Sequence, residues 1–288
     1  MNPQQDATLA SPALPALVSP VERVIVPTKR RVRVRDLIRE APVIRVLAGR
    51  DFKVKYKQSS LGPLWLVFQP LALLAGFFVA FRGLANVSTE GVPYASFALV
   101  GLSAWAFFQA SLTIGTASVI TNSAFVRFTP CPRPAFPVAS IIASLPSFAV
   151  TAAGAIVVAA ASGVLSPRVV LLPLGLVWLV ALTAGIVGIV SALAVRYRDI
   201  ISALPFLLQV GIFLAPVGYS IAQLSPPTRA IVELNPLTGV IEAWRWMMLS
   251  GYEVSATPIV ISLVETVLLV FAGWWVFSRL ETTMADDI

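Results

Sequence analysis

The sequence predicts an all-α membrane protein with six transmembrane helices, an N-terminal cytosolic amphipathic helix, and short re-entrant outer helices between spans five and six. Three observations carry this reading. The 288 residues are 57% hydrophobic and only 12% charged, against roughly 45 to 50% apolar and about 25% charged in a soluble domain. Six stretches, near residues 63–81, 94–116, 138–162, 169–195, 200–221 and 258–277, approach the length of about 20 apolar residues that a bilayer-crossing helix needs. Twelve of the 21 basic residues lie between Arg23 and Lys57, ahead of the first apolar run, and no lysine follows Lys57. A net charge of +7 distributed in this way marks a membrane flank and argues against nucleic acid as a partner.

Taken in order, residues 1–35 read as a disordered cytosolic tail, because Pro12, Pro15 and Pro20 interrupt the only stretch that could serve as a signal core. Residues 36–288 read as one transmembrane domain. Its first element, 42–57, opens on Pro42 at a first-turn position. On a helical wheel it sets Arg50, Lys53 and Lys57 opposite Val43, Ile44, Leu47, Ala48 and Phe52, with Asp51 and Lys55 spaced as an i,i+4 pair. A helix of this kind lies in the cytosolic interface. The six spans follow, the fourth and fifth separated only by a tight turn at Arg196-Tyr197-Arg198-Asp199 whose charges are expected to satisfy one another. With both termini cytosolic, 17 basic residues fall in inner segments and 4 in outer ones, which fixes the orientation by the positive-inside rule. The outer loop 222–257 is too polar to span. It contains a cap-like Asn235-Pro236 start followed by Glu242, Trp244, Arg245 and Trp246, the pattern of helices that dip back into the outer leaflet.

The same residues exclude several kinds of chemistry. There is no histidine, and the single cysteine, Cys131, precludes an internal disulfide and any multi-thiolate metal site. No lysine follows a glycine, so the chain has no phosphate-cradling P-loop. Glu265 is the one acid well inside a span, with Ser262 and Thr266 close by on the same helix. Such sparse intramembrane charge argues against ion-coupled transport. What remains is a channel-forming subunit driven by another protein.

Sugar rings pack their C–H faces on aromatic rings while their hydroxyls seek uncharged polar partners. Phe97, Gly101, Trp105, Phe108 and Leu112 recur along one face of the second span, and Phe206, Gln209 and Phe213 share a face of the fifth. Phe97, Trp105, Phe108, Phe206, Gln209 and Phe213 are thus candidates to line a glycan path, although the same stripe is the pattern of ordinary helix packing.

Three ordered blocks resemble the membrane subunits of type 2 ABC exporters of polysaccharides. They are RDFKVKYKQSSLGPLWLVFQPL from Arg50, AVRYRDIISALPFLLQVGIFLAPVGYS from Ala194 and ELNPLTGVIEAWRW from Glu233. The segment AFVRFTPCPRPAFP from Ala124 stands where that family has its cytosolic coupling helix and a Phe-Pro-Arg element; here the element reads Cys131-Pro132-Arg133. The resemblance implies an inner-membrane permease that exports O-antigen, capsule or teichoic-acid-class glycans on a lipid carrier. It implies a homodimer in membrane lipid, joined by two copies of a P-loop ATPase that binds ATP and Mg, while this chain holds no cofactor or metal. It also implies contacts to the ATPase from Phe125, Arg127, Phe128, Arg133, Lys53 and Lys57, and an outer re-entrant region containing Asn235, Pro236, Glu242 and Arg245. Export of another amphiphile, such as a glycolipid or drug, and membrane-embedded glycosyl or acyl transfer are the alternatives.

Overall fold

The computed structural model describes residues 34–57, 61–84, 89–128, 131–281 and 284, so the tail expected over 1–35 lies almost wholly outside the described residues. Among the described residues the chain is helical throughout, with one isolated bridge between Leu165 and Leu249. Helix α1 (Val34–Arg39) leads into α2 (Ala41–Lys57). Ile44, Leu47 and Ala48 of α2 recur at one helical face and are buried, whereas Val43, Val46 and Val54 are exposed. That buried face packs on protein, against α6 (Ala135–Ala161), in a buried cluster that includes Ala135, Phe136 and Ala139 and also holds Phe277 and Met284. Asp51 is bound by its neighbour Arg50 at 2.8 Å; the side chain of Lys55, its expected i,i+4 partner, lies outside the described residues.

Helix α3 (Trp65–Phe77) runs into a π-helical segment, Phe78–Leu84, and α4 (Tyr94–Thr121) follows. Buried residues cover most of α4, including Phe97, Leu102, Trp105 and Phe107, and α3, α6, α7 (Leu172–Arg196), α8 (Asp199–Leu214) and α10 (Pro236–Met248) all pack against it. Helix α4 is therefore the axis of the core. Helix α5 (Ser123–Phe128) is a short continuation below it. Small residues set the closest crossings. Ala152, Ala155 and Ala159 of α6 are buried, and a Cβ on Gly185 of α7 would come within 2.7 Å of the Leu269 backbone in α11 (Ala256–Leu280). Without those side chains the helix backbones can approach far enough to gain dispersion along their length.

Four of these helices, α4, α6, α7 with its preceding 3-10 turn, and α11, are long and apolar enough to cross a membrane; α3 with the first π residues, and α8, are shorter apolar helices. The fifth expected span, 200–221, is interrupted. Helix α8 stops at Leu214 because Pro216 has no N–H to donate and disfavours helical backbone at Ala215, which is extended at ψ 140°. The chain then runs irregularly to Ser220, and the outer loop folds into α9 (Pro226–Glu233) and α10. Asn235 caps α10 by accepting the Leu237 N–H at 3.0 Å, with Pro236 at the first helical position. At the turn between α7 and α8, Arg196, Arg198 and Asp199 are exposed and form no ion pair with one another. Arg196 instead lies over the Tyr197 ring. A turn this short needs no charge pairing when its side chains reach solvent.

Candidate functional site

Breaking α8 frees backbone carbonyls inside an apolar bundle, where each unsatisfied group is costly. Arg245 answers that need. It is fully buried on α10, and its Nη2 donates to the carbonyls of Pro216 at 2.6 Å and Val217 at 2.8 Å. Its Nη1 donates to Glu242 Oε1 at 2.9 Å, one turn back on the same helix, and to the Tyr219 carbonyl at 3.5 Å. The guanidinium also sits 3.5 Å from the centre of the Phe97 ring on α4, a cation–π contact strengthened by exclusion of water. Tyr252 donates to the second oxygen of Glu242 at 2.8 Å, so neither oxygen of that carboxylate is left open. Tyr94 directs its hydroxyl at the carbonyls of Phe77 and Gly218, and Ser220 donates to Glu90. Gly101 admits this packing, since a Cβ there would lie 2.9 Å from the Val217 carbonyl and 3.2 Å from Arg245 Nη2. One arginine thus ties the irregular segment 216–219 to α4 and α10.

This latch accounts for two of the residues expected in the re-entrant region, Glu242 and Arg245, while Asn235 and Pro236 start the helix that carries them. Tyr94, Tyr252 and Glu90 were not singled out from sequence. The Glu-x-x-Arg spacing on one helix was the available signal for the pair. Nothing local pointed to the carbonyls it binds.

The residues named for a glycan path separate by burial. Phe97, Trp105 and Phe108 are buried within the single subunit, with Trp105 donating to Gln109 at 3.0 Å and packing against Gly211 of α8. Phe206 is 67% exposed, Phe213 55%, and Gln209 is also exposed, because Leu204, Leu208 and Ile212 give α8 one narrow buried stripe and leave the opposite face free. At its outer end that face continues onto α3, where Phe213 stacks near Phe77, Phe77 meets Phe81 edge-on, and Phe81 lies beside Tyr219. The result is an uncovered surface at Phe206, Gln209 and Phe213 that adjoins the buried Phe77 ring and the latched segment.

At the opposite end, Lys53, Lys57 and Phe125 are exposed, and the side chains of Arg127 and Phe128 lie outside the described residues. Arg133 lies by Glu281, whose carboxyl is held above its ordinary range by burial while the Arg133 charge and backbone N–H pull it down. Burial pushes the Cys131 thiol up to about 11, helped by the nearby Glu40 charge. In α11, Ser262 and Thr266 do not serve Glu265. Ser262 donates to the Pro236 carbonyl, and Thr266 donates to the Ser262 carbonyl and accepts from Trp178. Among the described residues no group of three His, Cys, Asp or Glu is placed to hold a metal.

Long apolar helices around a polar latch, with an aromatic face left uncovered, define a multi-pass membrane protein. Residues 42–249 match the family described as ABC-2 type transporter, and the chain belongs to that family. It is 26% identical over 244 residues to the O-antigen export system permease protein RfbA of Klebsiella pneumoniae, covering 84% of this chain and 93% of that protein. It is 22% identical over 258 residues to the O-antigen export system permease protein RfbA of Myxococcus xanthus, covering 88% and 98% respectively.

Proposed function

We propose that this chain is the membrane subunit of an ATP-driven exporter that moves a lipid-linked polysaccharide of the O-antigen class across the bacterial cytoplasmic membrane. The observation that carries the reading is the similarity to O-antigen export permeases over 84 to 88% of this chain, together with a family match over residues 42–249 that takes in α2, the α8 face and the Arg245 latch. In this reading the chain crosses the membrane six times, α3 and α8 forming the two shorter spans, with both termini in the cytosol as the basic residues require. Two copies pair so that their uncovered α8 faces, with Phe206, Gln209 and Phe213, enclose a path whose rings stack on sugars and whose amides meet hydroxyls.

ATP and Mg are held by a separate P-loop subunit. It docks on the cytosolic end formed by α2, α5 and Arg133, where Lys53, Lys57 and Phe125 are exposed and where the α5 sequence also carries Arg127 and Phe128. The test is reconstitution of this chain with a P-loop ATPase subunit from the same source organism in proteoliposomes loaded with radiolabelled lipid-linked glycan. ATP-dependent arrival of label in the opposite compartment is expected. Transport of a glycolipid or drug in place of the glycan would move the substrate assignment, and transfer of a sugar to an acceptor without ATP would overturn it.

A further inference from the structure

A cavity of about 620 Å³ opens between α2, α3, α4 and α6, on the other side of α4's length from the Arg245 latch. Its volume lies within the range of about 300 to 1,000 Å³ typical of ligand sites. Along α4 it reaches from Leu102 to Asn122, about 30 Å at a rise of about 1.5 Å per residue, close to the hydrocarbon thickness of a bilayer. The slot is therefore long for its volume. It is bounded outward by the buried turns of α4 that carry Phe97 and Gly101 and meet Arg245, so it offers no passage through the subunit.

The chemistry of the walls changes along the slot. Its inner end is formed by Leu73, Leu102, Phe107 and Phe148, all hydrocarbon. The hydroxyls further along are turned to their own helices: Thr113 donates to the Gln109 carbonyl, Ser118 to Gly115, Ser144 to Ser140 and Thr151 to Phe148. Gln69, Gln109, Thr121 and Ser147 also line it, so the wall is mixed and mainly apolar. At the α2 end stand Arg50 and Asp51; Arg50 gives Nε and Nη2 to Asp51 and Nη2 to Asn122 at 2.6 Å, and its Nη1 makes no bond among the described residues. Between Arg50 and Lys57 the helix carries four cations against one acid. A basic segment at that level attracts anionic lipid head groups.

A long, mainly apolar slot with Arg50 at its α2 end fits one hydrocarbon chain whose anionic head stays beside that arginine. We infer that each subunit holds a resident anionic phospholipid in this slot, one acyl chain along α4 and the phosphate at Arg50, separate from the path proposed between subunits. A lipid in this place wedges α3 away from α4 and couples the seating of α2 to the composition of the inner leaflet. The inference does not depend on what the protein exports.

The test is native mass spectrometry of the full chain, extracted from vesicles holding equal phosphatidylglycerol and phosphatidylcholine. The expected result is about one phosphatidylglycerol retained per chain after annular lipid is stripped. Ala110→Phe, which fills the slot, should lower that retention at least tenfold, and Arg50→Gln should remove the preference for the anionic head while keeping a bound chain. A second measurement covers failure of the filled variant to fold. In a Cys131→Ser background, Gln109→Cys should be protected from a membrane-permeant maleimide by phosphatidylglycerol and not by phosphatidylcholine. Equal retention by Ala110→Phe and the parent, or equal protection by both lipids, would overturn the inference. Displacement of phosphatidylglycerol by equimolar undecaprenyl phosphate would reassign the slot to a carrier lipid and also overturn a resident phospholipid.

Discussion

Arg245 shows how much can depend on a single fully buried charge. Removing one partner from a buried ion pair leaves the other unpaired, at a cost of about 3 to 5 kcal/mol. Arg245→Met also strips the carbonyls of Pro216 and Val217 of their donor. It should therefore lower the thermal midpoint of the detergent-purified chain sharply, and Arg245→Lys should recover only part of the loss because an ammonium cannot reproduce the planar fork. An unchanged midpoint in both variants would contradict the latch. The pairing with Glu242 was readable from their three-residue spacing. The carbonyl partners were not, because they lie 28 and 29 positions away in sequence and meet Arg245 only where α8 breaks.

Cys131 gives a second prediction at this scale. With its thiol raised to about 11 by burial and by Glu40, it stays protonated at neutral pH. Since the thiolate is the reactive form, maleimide labelling of the folded chain should be slow at pH 7 and still climbing above pH 9. A plateau near pH 8.5 would show an ordinary exposed thiol.

Among elements, α8 is the most informative. Its sequence reads as an uninterrupted apolar span, but Pro216 ends the helix at Leu214 and the remaining residues become the latched segment. Its exposed face gives a sharper contrast. Phe206→Ala and Phe213→Ala remove rings that stabilise little within one subunit, so each should leave the unfolding free energy within about 0.5 kcal/mol of the parent, as for surface sites. Both should slow glycan export in the reconstituted system. Phe97→Ala, by contrast, deletes a buried ring under Arg245 and should cost about 3 to 5 kcal/mol of stability. Export unaffected by both α8 changes would remove that face from the path. The periodicity placed all these aromatics on helix faces. Burial alone separated those that pack from those that remain open.

For the whole molecule, the proposed assembly makes a prediction that needs no transport measurement. In a Cys131→Ser background, Lys53→Cys and Phe125→Cys are exposed in the isolated chain. Both should label rapidly there and lose at least tenfold in labelling rate when the ATPase subunit is bound. Rates unaffected by the partner would place the ATPase contact elsewhere. The sequence by itself determined the membrane class, the helical content and the helix start at Asn235. These follow from composition, apolar run length and nearest-turn chemistry, all local along the chain. Only the tertiary structure decided that α2 rests its buried face on α6, that α4 is the core axis, and that Glu242 and Arg245 form an inward latch instead of a surface charge pair. It also decided that a mainly apolar slot lies beside α3. Those outcomes depend on which helices approach closely enough to satisfy a freed carbonyl or exclude a side chain, and closeness between distant segments is set by packing, not by any local pattern of residues.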